Sequence, residues 1–195
     1  MQTSWGTNLF SARADGTAVA STSSEATLLA GLGAQPTLYA GYFDQGNRAF
    51  GKRLRLHAAG VLSTTGTPTI IFQVRTSTTQ GNTQYGGTSL GVSAAIPTSS
   101  GVTNKWWRLE LFIACYTPGQ GTGSTTLTSN GYVTCPNGFA SPFTYELEPT
   151  TPATATWTST LDNSLTQFLN LSCTWSASSA SNTITLKDVS LFEEN

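Results

Sequence analysis

Acyl-transfer chemistry needs a base beside its nucleophile, and His57 is the chain's one histidine. It stands in "GKRLRLHAAGVLS" among arginines, and no G-x-S-x-G elbow presents a serine to it. Glycoside hydrolysis needs two carboxylates across a cleft. Glu146 and Glu148 are the close pair outside the C-terminal tail, and their i, i+2 spacing sets them side by side on one strand face, a solvated edge. Asp188, Glu193 and Glu194 bring too few oxygen donors for calcium. Cys115, Cys135 and Cys173 are odd in number and far apart, which suits neither a disulfide framework nor a zinc ligand pair. "GGTSLG" and "GQGTGS" lack the lysine and the strand-then-helix setting of a phosphate cradle and read as turns. The sequon Asn170-Leu171-Ser172 falls inside a strand and is discounted. The residues therefore predict a chain that is not an enzyme, with no metal and no cofactor.

What the sequence does specify is a set of strands. Charged residues make up 10 % of the 195, against roughly 25 % in ordinary soluble domains, while Ser and Thr exceed a quarter. With 38 % hydrophobic residues, that composition predicts a folded, β-rich protein with a threonine surface. In "GKRLRLHAAGVLS" Leu54, Leu56, Ala58 and Gly60 face one way and Arg53, Arg55, His57 and Ala59 the other. "NKWWRLELFIACYT" puts Trp107, Leu109, Leu111, Ile113 and Cys115 inward and Trp106, Arg108, Glu110, Phe112 and Ala114 outward. Cys115 and Cys173 have core parity and read as buried thiols. Strands are predicted near 37–44, 51–62, 68–77, 88–95, 105–117, 124–134, 143–148 with 154–158 as a broken pair, 166–177 and 182–193. Asn130-Gly131 suggests a type I′ turn within 124–134. "SASSASN" predicts a hairpin connection between the last two strands. In the last strand Ile184 and Leu186 share one parity and Val189 and Leu191 the other, so a β-bulge is placed at Lys187-Asp188. Irregular Gly- and Pro-bearing connections and the absence of internal repeats predict an all-β, jelly-roll-like antiparallel β-sandwich over residues 36–195.

Residues 1–35 are small, polar and weakly patterned, with apolar islands at Leu9-Phe10 and Leu28-Leu29. They predict an extended N-terminal arm with one turn of helix near Ser24 to Leu29, either reaching a neighbour or laid as a strand on its own domain. Net charge is −1 and the basic residues are scattered, so nucleic acid is not an expected partner. No apolar run reaches the ~18 residues needed to cross a bilayer, and "MQTSWGTNLF" lacks a signal peptide's regions, so synthesis in a cytoplasm and no membrane are expected. The tryptophans, with Tyr39, Tyr42, Phe43, Tyr85, Tyr116 and Tyr145, suit subunit interfaces or a sugar-binding platform. Trp106 with Phe112 makes an outward apolar stripe that favours oligomerisation or a partner.

"LRLHAAGVLST", "KWWRLELFIACYTPGQGT" and the closing "TWSASSASNTITLKDVSLFEEN" resemble virion structural proteins of tailed bacteriophages and prophages, over roughly residues 37 to 193. The resemblance implies a β-sandwich that decorates or cements a capsid on the virion surface, often as a homotrimer bound to the major capsid protein, or that forms part of a head fibre or tail attachment. The arm lies outside the resemblance, and its composition makes Trp5, Leu9, Phe10 and Arg13 the residues expected to contact capsid, with Trp106, Arg108 and Phe112 expected to serve self-association. The alternative is a receptor- or carbohydrate-binding head that stacks a host-surface glycan on loop aromatics such as Tyr85 and Trp157.

Overall fold

A computed structural model describes residues 6–44, 51–81, 87–119, 124–150 and 157–194. The protein is all-β among these residues, and every ladder between its strands is antiparallel. One run of strands begins with β1 (Thr7–Ala12) and β2 (Val19–Ala20), both laid along β14 (Thr183–Glu194). It continues through β5 (Arg53–Thr64) and β9 (Val102–Thr117) to β10 (Ser124–Thr134). The other run begins with β3 (Ala26–Thr27) and β4 (Thr37–Leu38), both on β13 (Gln167–Trp175), and continues through β6 (Thr69–Ser77) to β7 (Thr88–Ser93). A short β8 (Ile96–Pro97) flanks β6. The order β1/β2, β14, β5, β9 in one run and β3/β4, β13, β6, β7 in the other fits the jelly-roll-like β-sandwich expected from the sequence.

Period-two burial explains the assembly. Along β5 every second residue from Leu54 to Thr64 is buried and its neighbours are not. Phe72 of β6 meets Trp107 of β9 with ring centroids 5.3 Å apart, so the inner faces of the two runs share one core. Gly91 of β7 lies under the methyls of Leu111 of β9, where an added Cβ would sit 3.0 Å from Cδ1. The runs join at one margin, where β11 (Thr144–Glu148) bridges β10 and β7. There β12 (Thr158–Asp162) also pairs with β10, and its Ser159 hydroxyl donates to the Ser89 carbonyl at 2.5 Å.

Several expectations are corrected. Asn130-Gly131 is no turn: β10 is extended through it, because its outer edge changes partner there, from β12 on Ser124–Thr128 to β11 on Gly131–Thr134. Residues 176–182 are no hairpin connection either, since β13 and β14 belong to different runs and the segment crosses between them. Two strands with buried inner faces satisfy the same alternation whether they are neighbours or face each other. The bulge stands where expected, with Leu186 opposite Gly60 and Asp188 opposite Ala59, so that Lys187 is the extra residue.

The N-terminal segment takes the second of its two expected placements. No helical turn forms near Ser24 to Leu29; Ala26-Thr27 pair with Cys173-Ser172, and Leu28 and Leu29 are buried. Residues 7–12 are extended but lie on β14, whose edge offers the backbone bonds they need. Residue 35 marks no break in the pairing, because β3 and β4 on either side of it share β13.

Candidate functional site

The outer face of β14, β5, β9 and β10 carries most of the chemistry. The pairings align it in rows across the strands. One row runs Phe192, Arg55, Phe112, Asn130, the next Ser190, His57, Glu110, Tyr132, and a third Asp188, Ala59, Arg108, Thr134. The sequence pattern gives each strand's parity, but the register that makes Ser190, His57 and Glu110 neighbours is a long-range property. These are the residue types of an acyl-transfer triad, yet no hydrogen bond links them and they lie side by side on one sheet face.

A depression of about 430 Å³ opens beside Phe112. Ala114 and Phe112 of β9, Arg53 of β5, Thr128 and Asn130 of β10 and Glu194 of β14 line it. Ala114 makes it concave, being the small residue between two large ones of the same parity, Phe112 and Tyr116. Arg55 Nε meets Glu194 Oε1 at 3.0 Å and its guanidinium lies 5.6 Å from the Phe192 ring centroid, so that carboxylate is already engaged. Arg53 has no ion-pair partner among the described residues. Beyond the floor, Tyr116 and Trp157 meet edge to face with centroids 5.4 Å apart, and both are exposed, at 53 % and 62 %.

At the start of β5 a half-buried cluster joins three elements. The Tyr42 hydroxyl donates to Glu193 Oε2 at 2.5 Å, and Lys52 Nζ lies 3.8 Å from Glu193 Oε1 and 4.1 Å from the Tyr42 ring centroid. Burial, with the bond to Glu193 and its charge, pushes the Tyr42 phenol well above its ordinary value. On the opposite outer face Arg75 Nε donates to Glu25 Oε1 at 3.1 Å and the Ser172 hydroxyl donates to the same oxygen at 2.6 Å, tying the segment before β3 to β6 and β13. Both clusters are closed on themselves and hold chain segments in place.

Of the residues expected to touch capsid, Trp5 lies outside the described residues. Leu9 and Phe10 are half-buried against the protein's own core, and Arg13 is exposed. Trp106, Arg108 and Phe112 share the outer face of β9, with Trp106 exposed at 61 % and Phe112 at 36 %. They form no continuous apolar stripe: six residues, roughly 20 Å, separate Trp106 from Phe112, and Arg108 and Glu110 lie between. Trp106 has Val61 beside it instead. Tyr85 lies outside the described residues.

Cys115, Cys135 and Cys173 are free and buried. Asn170 of the sequon is buried, and its Oδ1 accepts from the Thr27 hydroxyl at 2.5 Å. Among the described residues no group of three His, Cys, Asp or Glu could hold a metal ion, and no helix is long and apolar enough to cross a membrane. No protein-family model, curated protein or solved structure matches the chain.

Proposed function

We propose that the chain is a noncatalytic structural protein of a tailed-phage particle, a decoration protein that binds the major capsid protein at the virion surface. The observation that carries this reading is Trp106, 61 % exposed beside Val61 on a sheet face, where a free monomer gains nothing from displaying it. Leu9 and Phe10 are half-buried on their own domain, so in this reading the capsid contact falls to the exposed Arg13 and to the Trp106 end of β9. Each copy needs only about 800 Å² of buried surface, and repetition over a shell multiplies a few kcal/mol per copy into resistance to expansion. Self-association, with a trimer favoured, uses the same face at Trp106 and Arg108.

The test is cosedimentation of the purified full chain with capsids, together with its mass in solution by light scattering. The expected result is an oligomer that pellets with capsids, with Trp106→Ala weakening capsid binding by about tenfold while the melting temperature holds. A monomer that stays in the supernatant at every concentration sinks the reading.

A further inference from the structure

We infer that the depression on the outer face, extended by the Tyr116 and Trp157 rings, is a binding site for an oligosaccharide. This goes beyond the decoration reading and does not depend on it. Arg53, Ala114 and Thr128 form one row across β5, β9 and β10, and Phe112 and Asn130 belong to the adjacent row. The floor is therefore a methyl group, one wall is a phenyl ring, and the rim carries a guanidinium, a hydroxyl and a carboxamide. Tyr116 follows two residues, about 7 Å, further along β9. Trp157 directly precedes Thr158, which pairs with Thr128, so the exposed edge-to-face pair stands at the end of the same trough.

The pattern of the lining selects the ligand. Aromatic faces at both ends take the C–H face of sugar rings, while hydroxyl, amide and guanidinium groups between them take ring hydroxyls in both donor and acceptor senses. Glu194 is held by Arg55, which leaves Arg53 as the donor with its fork unengaged, able to span two adjacent hydroxyls or a sugar carboxylate. One unpaired cation is too few for a polyphosphate backbone. The exposed pair also explains itself in this way: neither ring is needed by the core, and their mutual contact holds both upright for a ligand.

The experiment is a glycan array of neutral and acidic oligosaccharides probed with the full chain, followed by calorimetric titration of the best ligand. Binding to a defined set of glycans is expected. Trp157→Ala and Ala114→Trp, the second filling the floor from an outward-facing position, should each weaken it about tenfold or more. Arg53→Gln should weaken it several-fold, and Trp106→Ala, about 26 Å from Ala114 along β9, should leave it unchanged. Circular dichroism and melting curves confirm that each variant is folded. A flat array overturns the inference, as does binding that survives both Trp157→Ala and Ala114→Trp or that is lost in Trp106→Ala. Capsid binding is read in a separate assay with a different sensitive residue, so either reading can fail alone.

Discussion

Replacing Gly131 with alanine should destabilise the protein by about 3 kcal/mol, although the residue itself is only half-buried. A Cβ there would stand 2.1 Å from the Glu110 carbonyl oxygen and 2.8 Å from the Leu111 Cα, whereas ordinary contact begins near 3.4 Å. Both obstacles are backbone, so relief requires β9 and β10 to part locally by about 1 Å, far enough to break a ladder bond of normal length. Two such bonds, at about 1 kcal/mol each, plus distorted packing of Leu111 and Val133, give the total. For a chain of this size the melting temperature should fall by about 6–12 °C. Gly131→Asn sharpens the test. In a type I′ turn asparagine would be tolerated at positive φ, but on an extended strand it meets the same carbonyl and should cost as much as alanine. Asn130→Thr, exposed on the same strand, should be neutral or slightly stabilising. Thermal melts that show Gly131→Ala or Gly131→Asn within 2 °C of the parent would falsify the close approach of the two strands.

Deleting Lys187 removes the extra residue and leaves Leu186, Asp188 and Val189 opposite Gly60, Ala59 and Ala58 in an unbroken ladder, so Val189 and Leu191 stay in the core and a cooperative melt should survive; an unfolded deletion variant would refute the register. Burial holds the Cys135 and Cys173 thiols up to about 12 and raises Cys115 as well, so a thiol reagent at pH 8 should label none of the three until denaturant is added. Because these pKa values are raised in the folded state, the unfolded chain ionises first, and denaturant midpoints should decline as pH rises from about 9 towards 12. Tyr42→Phe removes the hydroxyl that donates to Glu193 and should lower stability by about 1–2 kcal/mol below pH 10, with the gap narrowing above it, where the parent loses the benefit of a neutral phenol. Urea titrations at pH 7 and pH 11 read both values.

The long strands were legible because each buries one face. The alternation in 51–62 and 105–117 falls on β5 and β9, and the parity change at Lys187 located a bulge that only a buried inner face could demand. Legibility stopped where partners are chosen. Leu169 to Trp175 and Ile184 to Leu191 read the same whether their strands pair or face each other, and a glycine after an asparagine reads as a turn although here it marks close backbone approach. The two-residue strands β2, β3 and β4 carry no period at all and exist because β13 and β14 offer unfilled edges. The candidate trough was hidden for the same reason. Arg53, Ala114, Thr128 and Glu194 are scattered in the chain and meet only through register, while Phe112 and Trp157 were visible singly.

Thr7 lies opposite Glu193 in the sheet. A ribosome therefore releases the first strand well over a hundred residues before its seat exists, and the segment holding Leu9 and Phe10 must wait, sticky and unpaired, until the last strand emerges. Pairing over so long a separation makes this margin slow to close, and a circular permutant that brings Thr7 and Glu193 close together in sequence should fold faster.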